Sequence, residues 1–348
     1  MERELTAPVL LCDARGRLNA KAVGWSRRPL HTCNLACHWP RKKRWNYWCI
    51  TSERSLFSAT VTNLDYAAMA FVYWLEFASG RFVEQTVLKP LGRNCVMGDT
   101  IDSPVRFESK QLDVAFDTRG ERTEIAVTSS DFGGRPMSAQ FVVTTPAAHE
   151  TMNVVIPWSD RRFQYTSKHQ CLPVAGRMRC EDETDDFPQG GSFACLDFGR
   201  GIWPYASSWN WAAFSTVCDG RAVGVNLGGR WTDGTGYTEN ALVVGGRISK
   251  LPERMEFGYD CGDFKRPWAI RSASGTGGQG NVPDGTGRRV DLEFVPFYER
   301  VAKSDLVLLK STVHQLIGRF SGTIVTDDGE TIEVRDAIGW AEEHVARW

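Results

Sequence analysis

Long apolar runs are missing from this chain of 348 residues, although 42% of its residues are hydrophobic. No segment reaches the roughly 18 consecutive apolar residues that suggest a membrane-spanning helix, and the charged start Met1–Glu4 is followed by no signal-like apolar stretch. A net charge of -1 gives no electrostatic basis for binding nucleic acid or an anionic membrane. These absences predict a cytoplasmic protein that binds no nucleic acid and does not insert stably into a membrane.

Motifs for nucleotide and hydrolase chemistry are missing as well. The chain has no Walker sequence, no Gly-x-Ser-x-Gly elbow and no His-Glu-x-x-His zinc motif. The segment Gly275–Gly280 has the glycine spacing of a dinucleotide fingerprint, but it lacks the preceding buried strand, the following helix and the downstream acidic residue. We therefore expect a protein that uses no cofactor.

Soft metal ligands occur in one short segment, and a second such segment is lacking. The segment contains His31, Cys33, Cys37 and His38, with Cys49 nearby. Structural zinc sites usually draw their four ligands from two close pairs, so we expect no metal here. The ten cysteines show no short-framework spacing, which favours reduced thiols over disulfides.

The basic run Arg41–Arg44 is flanked by the aromatic residues Trp39, Trp45, Tyr47 and Trp48. Basic residues among aromatic ones are typical of platforms for single-stranded nucleic acid. In a neutral chain, however, one basic run is more simply explained as a solvated strand edge. Binding of an anionic group on a small ligand is a third interpretation.

Helical periodicity is scarce, whereas turn dipeptides and strand-like runs recur along the chain. Asp-Gly pairs, which supply the positive φ angles of tight hairpins, occur at 219–220, 233–234, 284–285 and 328–329. We predict strands at Trp45–Thr51, Leu56–Thr62, Tyr66–Phe77, Phe82–Leu88, Leu112–Phe116, Thr123–Val127, Ala139–Thr144, Asn153–Pro157, Trp209–Val217, Ala222–Leu227, Arg254–Tyr259, Val290–Val295, Thr312–Val325 and Thr331–Val334.

This pattern predicts an all-β fold with two packed antiparallel halves, each a β-barrel or sandwich. The N-terminal half is expected at residues 1–157 and the C-terminal half at 158–348. The charged end of the chain, Gly339–Trp348, is expected to form a short closing helix. The glycine-rich stretch at 272–287 is interpreted either as a long hairpin tip or as a lid.

The segment Asp197–Asn240 is the richest in candidate site residues. It combines four of the 13 tryptophans with carboxylates, amides and many glycines. Large aromatic faces beside a few polar groups are typical of a ligand pocket, although any single tryptophan is more simply explained as part of the core. The predicted ligand-binding residues are Arg200, Trp203, Trp209, Asn210, Trp211, Asn226, Trp231, Tyr237 and Asn240.

General acid chemistry fits this composition. A carboxyl group enclosed by indole rings loses hydration, which raises its pKa and keeps it protonated near neutral pH. Such an acid can protonate an alkene or a glycosidic oxygen while the indole faces stabilise the cation that forms. Asp197 and Glu239 are the predicted catalytic residues. The alternative for Glu239 is a simple ion pair with Arg200 or Arg230.

Several long motifs identify the chain as a member of an uncharacterised family, a domain of unknown function found in bacteria and fungi. The resemblance covers nearly the full length and implies no activity. The motifs are Gly24–Arg27, Lys43–Trp48, Asp197–Pro204, Trp209–Trp211, Asn226–Asn240, Val313–Gln315 and Gly339–His344.

More distantly, the tryptophan-rich strand followed by Asp-Gly and a glycine-studded strand is similar to the lipocalin-like, or calycin, group. That group contains carotenoid 1,2-hydratases, tocopherol cyclases and some Diels–Alder cyclases. The resemblance implies two β-barrels with a ligand cavity and neither metal nor nucleotide. The Gly-His-x-Trp pattern of the hydratases has no counterpart, because Ser207–Trp209 occupies the comparable place.

The favoured function is that of a pocket protein for an apolar small molecule, such as a lipid or an isoprenoid, which acts as a hydratase, isomerase or cyclase through a buried acid. Two alternatives stay open. One is a non-catalytic lipid-binding module, and the other is a carbohydrate-active enzyme that uses two carboxylates and stacking tryptophans. The sequence specifies neither the ligand nor the oligomeric state.

Overall fold

The structure, a computed structural model, describes residues 2–35, 37–273, 287–306 and 309–348. The chain divides into two compact units. The N-terminal unit is Glu4–Trp203, and the C-terminal unit is Pro204–Trp348 together with Met1–Arg3. The division therefore falls after Trp203, whereas the expected position after residue 157 lies inside a strand of the N-terminal unit.

The described residues of the N-terminal unit form strands and one 3-10 turn at Ala20–Ala22. Its strands are β1 (Val9–Leu10), β2 (Trp25–Ser26), β3 (His31–Thr32), β4 (Lys43–Thr51), β5 (Ser55–Asn63), β6 (Ala67–Glu76), β7 (Phe82–Pro90), β8 (Cys95–Met97), β9 (Val105–Phe107), β10 (Leu112–Arg119), β11 (Arg122–Ser129), β12 (Met137–Thr144), β13 (Met152–Ser159), β14 (Arg162–Cys180), β15 (Glu183–Phe187) and β16 (Phe193–Ile202). In β11, buried and exposed residues alternate without a break, which is the period of a strand with one buried face.

Most of these strands join one antiparallel sheet that curls into a half-barrel. Its main order is β7-β6-β5-β4-β16-β14-β12-β11-β10-β9-β8. Strand β14 pairs with β12, β13, β15 and β16, and so connects the two parts of the sheet. The core of the unit includes Trp48, Phe57, Phe141 and Phe163. We call the sheet face that carries these residues the core face and the other the opposite face.

The central strands of the N-terminal unit are buried on both faces, as the unbroken burial of β5 shows. Side chains alternate across a strand, so the pairing of β14 with β16 assigns each residue to a face. Tyr165 and Arg200 lie on the core face, whereas Lys168 and Asp197 lie on the opposite face. This second buried face is rich in polar groups.

The C-terminal unit contains a nine-stranded antiparallel sheet in its described residues, also curled into a half-barrel. Its strands are β17 (Ala206–Cys218), β18 (Arg221–Gly229), β19 (Ala241–Val244), β20 (Arg247–Lys250), β21 (Met255–Gly258), β22 (Trp268–Ser272), β23 (Val290–Leu306), β24 (Leu309–Val325) and β25 (Thr331–Arg347). The order is β20-β19-β18-β17-β25-β24-β23-β22-β21. Its core includes Phe214, Leu227, Trp268, Phe294 and Phe320.

The all-β prediction is confirmed, and every predicted strand overlaps an observed one. Among the strands that were not predicted, β14 and β16 are the two longest. Of the glycine-rich stretch at 272–287, residues 274–286 lie outside the described residues, so its predicted role is untested. Among the described residues, no helix has the length and apolar character required to cross a membrane.

The expected helix at the C-terminus is wrong, because Thr331–Arg347 is a single long strand. Strand β25 pairs with β17 on one side and with β24 on the other. Its backbone groups are therefore hydrogen-bonded on both sides. A short isolated helix is only marginally stable in water, so these two ladders determine the conformation.

Candidate functional site

The predicted site residues are divided between the two units. Asp197, Arg200 and Trp203 belong to the N-terminal unit. The C-terminal unit holds Trp209, Asn210, Trp211, Asn226, Trp231, Tyr237, Glu239 and Asn240. The two predicted catalytic carboxyl groups, Asp197 and Glu239, therefore belong to different units.

Asp197 lies on β16, on the opposite face of the N-terminal sheet. Its Oδ2 is 3.0 Å from Lys168 Nζ, and its Oδ1 accepts a hydrogen bond of 3.2 Å from the Thr166 hydroxyl. Lys168 stands directly across the β14–β16 pairing. An ammonium group at this distance stabilises a carboxylate, so the geometry of Asp197 suits charge stabilisation better than proton donation.

Arg200 lies on β16 as well, but on the core face, where it is only 1% exposed. Burial lowers the pKa of its guanidinium to about 9. Each of its five N–H groups points to a protein acceptor 2.8 to 3.3 Å away. These acceptors are the carbonyl oxygens of Trp45, Gly98 and Gly199 and the Oδ1 atom of Asn46. Arg200 therefore has a structural role in the core, and none of its N–H groups is left to bind a ligand.

Trp203 ends the N-terminal unit and packs beside two other tryptophans. Its ring centroid is 4.9 Å from that of Trp158 and 5.9 Å from that of Trp45. Its indole N–H donates to Gln164 Oε1 at 2.8 Å. A Cβ atom on Gly199 would lie 2.1 Å from the Trp45 ring, so a glycine is needed where this aromatic group crosses β16.

In the C-terminal sheet, the core face is likewise the face that carries the core residues, and the other is the opposite face. Strands β17 and β25 place a row of aromatic and polar side chains on this opposite face. Trp209 stands across from His344, and Trp211 across from Glu342. The Trp211 and Trp340 rings meet edge to face at 5.5 Å. We define the aromatic–carboxyl face as Trp209, Trp211, Gln315, Trp340, Glu342 and His344.

Glu342 is the central carboxyl group of the aromatic–carboxyl face and is 7% exposed. Its Oε1 accepts a hydrogen bond of 3.0 Å from Trp209 Nε1, and its Oε2 accepts one of 3.4 Å from Gln315 Nε2. Gln315 stands directly across the β24–β25 pairing. The carboxyl group is thus held in a fixed orientation beside indole rings, as a positioned proton-transfer group requires.

His344 lies two residues beyond Glu342 on β25 and shares its face. The Trp209 ring lies over it, with centroids 4.0 Å apart, and its Nε2 is 2.6 Å from the Ser311 hydroxyl. Burial lowers the pKa of His344 to about 3. The imidazole is therefore neutral near pH 7, a state in which it can both donate and accept a hydrogen bond.

Glu239 forms a second carboxyl site on the same sheet face and is 1% exposed. Its Oε1 accepts a hydrogen bond of 2.7 Å from Trp231 Nε1. Its backbone carbonyl accepts one of 2.8 Å from Asn226, which in turn accepts one of 2.8 Å from Trp211 Nε1. The side chain crosses Gly228, where an added Cβ atom would lie 2.0 Å from Oε1. Glu239 is therefore linked to two indole groups.

Asn210 alternates with Trp209 and Trp211 along β17 and lies on the core face instead. It donates a hydrogen bond of 3.1 Å to the Tyr259 hydroxyl. That hydroxyl also accepts a hydrogen bond of 2.8 Å from Arg230 and donates one to Glu343. Burial, with a smaller contribution from Glu343, raises the pKa of Tyr259 to about 12. Asn210 thus belongs to a separate phenol–carboxylate cluster.

Tyr237 and Asn240 lie near the hairpin between β18 and β19. Tyr237 lines a surface pocket of about 360 Å³ together with Asp233 and Arg254. Asn240 accepts a hydrogen bond of 2.6 Å from the backbone N–H of Gly228 and donates one of 3.0 Å to a backbone carbonyl. Asn240 is therefore a structural residue of this turn, whereas Tyr237 has the position of a pocket residue.

The N-terminal cysteine–histidine segment does not gather into a metal site. His31 Nε2 pairs with the carbonyl of Ala22, and His38 Nε2 with that of Gly16. Across the described residues, no group of three or more potential ligands has metal-binding geometry. All ten cysteines are free thiols. In the basic run, Lys42 and Arg44 both lie 3.4 Å from the buried Asp65 carboxylate. These two residues of the run therefore have a structural role, as ion-pair partners of Asp65.

Family membership follows from a match that extends over residues 2–348 to the domain of unknown function DUF2804. The chain belongs to the DUF2804 family. The membership predicted from the motifs is thereby confirmed. No curated protein sequence matches this DUF2804 chain.

Solved structures that are similar to this DUF2804 protein include three whose similarity extends over most of both chains. A protein from Nitrosomonas europaea assigned as an AttH is 13% identical, with 97% of this chain and 98% of that chain covered and a TM-score of 0.52. CghA, in complex with Sch210972, is 13% identical, with 88% and 89% covered and a TM-score of 0.53. Kievitone hydratase from Nectria haematococca is 8% identical, with 86% and 88% covered and a TM-score of 0.45. The first two similarities show the fold alone.

Sequence reasoning missed Glu342, His344 and Gln315 as candidate site residues of this DUF2804 protein. Two of the family motifs, Val313–Gln315 and Gly339–His344, contain all three. The strand period of β25 identifies Glu342 and His344, because residues two apart share a face. The β24–β25 pairing then adds Gln315. A helix at Gly339–Trp348 would instead have separated Glu342 from His344.

Proposed function

We propose that this DUF2804 protein binds an apolar small molecule, such as a lipid or an isoprenoid, against the aromatic–carboxyl face of its C-terminal unit. We infer that a buried carboxyl group of this face transfers a proton in a hydration, isomerisation or cyclisation that needs no cofactor. The observation that supports the proposal best is the buried Glu342 carboxyl group, held by Trp209 and Gln315 among indole rings.

The indole rings supply both the affinity and the electrostatics that such a reaction requires. Burial of apolar ligand surface contributes about 25 cal/mol per Å². A carbocation formed by protonation of an alkene is stabilised by the negative faces of indole rings, by roughly 0.5 to 2 kcal/mol for each ring. Trp211 and Trp340, which meet edge to face at 5.5 Å, are the rings best placed for this role.

Proton transfer is assigned to Glu342, with Glu239 as the second candidate. The Trp209 indole and the Gln315 amide fix the orientation of Glu342 and so reduce the entropic cost of reaching the reactive geometry. Asp197, which is paired with Lys168, is assigned to charge stabilisation in the N-terminal unit.

The shared fold is a further support for a small-molecule function. CghA has the same fold and was crystallised with the small molecule Sch210972. Folds host many functions, so this similarity raises the expectation of a ligand without naming it.

The first test asks which molecules the protein carries and whether it changes them. Purified full-length protein would be extracted with organic solvent and the extract analysed by mass spectrometry. The protein would then be incubated with a cellular lipid extract, and the products of the wild type compared with those of Glu342→Gln and Glu239→Gln. We expect co-purifying apolar molecules and a product whose rate of formation falls at least 100-fold in Glu342→Gln.

Glu333→Gln is the matched control, because Glu333 lies on the same strand with a side chain that is 61% exposed. It should bind and convert ligands as the wild type does. Ligand capture without any product that depends on Glu342 or Glu239 would favour the alternative of a non-catalytic carrier. Extracts that contain only polar molecules or sugars would contradict the proposal.

A further inference from the structure

A cavity of about 210 Å³ lies within the N-terminal unit and is lined by residues of that unit. Its buried lining includes Trp48, His149, His169 and Leu196. This cavity is distinct from the predicted site residues and from the aromatic–carboxyl face. Two buried histidines beside apolar walls are the type of lining that binds a small ligand with a few polar groups.

The tautomer of His149 follows from its hydrogen bond. Its Nε2 is 2.9 Å from the backbone carbonyl oxygen of Gln170. A carbonyl oxygen can only accept, so Nε2 carries the hydrogen and Nδ1 carries the lone pair. Burial lowers the pKa of His149, which keeps the ring neutral near pH 7. The ring therefore contributes a hydrogen-bond acceptor.

The tautomer of His169 follows from a chain of hydrogen bonds behind it. Asn153 Nδ2 donates to the carbonyl oxygens of Ser26 and Thr151, at 3.0 and 2.8 Å, so its Oδ1 faces the other way. The Ser167 hydroxyl uses its hydrogen on that Oδ1, at 2.5 Å. Ser167 Oγ must therefore accept from His169 Nε2, 3.0 Å away. His169 Nδ1 is again left as an acceptor.

The two rings are thus neutral acceptors in the same cavity. Burial, with a smaller contribution from His149, lowers the pKa of His169 to about 3. Neither Nδ1 atom has a hydrogen-bond partner in the part of the chain that the structure describes. Trp48 contributes the apolar wall, and its buried indole N–H also lacks a partner within the described ranges. A buried donor without a partner, such as this indole N–H, is rare in folded proteins and calls for an explanation.

We propose that this cavity is a second ligand site, which binds a small uncharged aromatic molecule that bears a hydroxyl group, with a phenol as the simplest representative. The phenol hydroxyl would donate to an imidazole Nδ1, and its ring would pack against Trp48 and Leu196. This site is independent of the proposed function of the C-terminal unit.

Size and charge both support this class of ligand. An engineered apolar cavity of about 150 Å³ is large enough to bind benzene, so about 210 Å³ accommodates a substituted single ring. The rim of the cavity carries Asp102 and Glu121 against one Arg28. An anionic ligand is therefore disfavoured.

The test uses three fluorinated probes of similar shape on the full-length protein, followed by fluorine NMR. These are 4-fluorophenol, 4-fluoroanisole and 4-fluorobenzoate. The first has a hydrogen-bond donor, the second has a methyl group in its place, and the third is an anion. We expect 4-fluorophenol to bind at least tenfold more tightly than either of the others, which corresponds to about 1.4 kcal/mol.

The variants His149→Gln and His169→Gln test the site. A glutamine amide can retain the hydrogen bond that Nε2 makes, whereas its own acceptor, the amide oxygen, lies at a different position from Nδ1. Each should weaken 4-fluorophenol binding about tenfold. His38→Gln is the control, because His38 makes a similar bond to a backbone carbonyl, that of Gly16, and does not line this cavity. It should leave the affinity unchanged.

Nitrogen NMR of histidine-labelled wild-type protein keeps the test decisive if a variant does not fold. Bound 4-fluorophenol should shift the Nδ1 resonance of His149 or His169. Absence of binding at millimolar probe, equal binding of the phenol and the anisole, or binding that leaves both histidine resonances unmoved would each overturn the proposal.

Discussion

The guanidinium of Arg200 shows how a buried charge can be held without a carboxylate partner. Its positive charge is spread over carbonyl and amide oxygens, and its Cζ lies 3.8 Å from the Phe198 ring centroid. The planar fork of arginine matches acceptors in several directions, whereas an ammonium group has three donors on a single atom. Replacement by lysine keeps a positive charge but leaves acceptors unsatisfied.

We therefore predict that Arg200→Lys lowers the free energy of unfolding by about 3 kcal/mol, because buried carbonyl groups lose their donors. Urea denaturation followed by tryptophan fluorescence measures this loss. Arg122→Lys, at a side chain that is 59% exposed, should change the free energy by less than about 0.5 kcal/mol. A similar stability for Arg200→Lys and the wild type would show that the hydrogen bonds of Arg200 contribute little.

The types of residue in the segment Asp197–Asn240 could be recognised as site-like from the sequence. The sheet face on which each side chain lies could not be predicted. Asp197 and Arg200 are separated by an odd number of positions on β16, so they point to opposite sides of the sheet. Because β16 was not predicted as a strand, no period was available to separate them. Its pairing partner β14 was missed because its middle, Lys168–Gln170, is polar although it is buried.

At the scale of elements, β25 determines the composition of the aromatic–carboxyl face. As a strand, it sends Trp340, Glu342 and His344 to one face and Glu343 to the other. The sequence indicated a helix there, since its charged residues have no clear alternation. The strand is stabilised by pairing with β17 and β24, which are far away in sequence. Long-range pairing of this kind cannot be read from local propensity.

A substitution at Gly228 on β18 tests how closely this strand packs against the Glu239 carboxyl group. The Glu239 side chain occupies the space where residue 228 would carry a Cβ atom. We predict that Gly228→Ala displaces Glu239 from Trp231 and lowers the free energy of unfolding by about 1 to 3 kcal/mol through overpacking. Thermal unfolding measures the loss, and nitrogen NMR of the Trp231 indole reports the broken hydrogen bond.

Gly191→Ala is the control for this substitution. A Cβ atom at Gly191 would lie 3.7 Å from its nearest neighbour, Pro188, which is an ordinary van der Waals contact. Its stability should stay close to that of the wild type. If Gly228→Ala left the Trp231 indole resonance unmoved, the close packing of Glu239 on β18 would not constrain the carboxyl group.

For the whole molecule, the fold class could be predicted from the sequence because turn dipeptides and period-two runs are distributed along both units. The position of the division between the units could not be predicted, since β13 continues the sheet of the N-terminal unit past residue 157. The same hydrophobic pattern also gave no sign of polar groups buried inside the sheets. Several of these groups are histidines, and they affect the stability of the whole chain.

Buried neutral histidines make the stability of the protein depend on pH. Burial lowers the pKa of His31 to about 4 and those of His169 and His344 to about 3, from 6.5. Between these values the unfolded chain binds more protons than the folded one, so acid favours unfolding. For the three histidines together, we predict that the free energy of unfolding falls by about 3 kcal/mol between pH 6.5 and 5.5.

Urea denaturation at pH 7.5, 6.5 and 5.5 measures this dependence, and His169→Gln separates the contribution of one ring. The variant should lose stability at every pH, because its packing is altered, but its slope between pH 6.5 and 5.5 should be about 1 kcal/mol smaller than that of the wild type. A wild type whose stability is unchanged or higher at pH 5.5 would mean that these imidazoles accept protons in the folded state. The acceptor role assigned to His169 in the N-terminal cavity would then be lost below neutral pH.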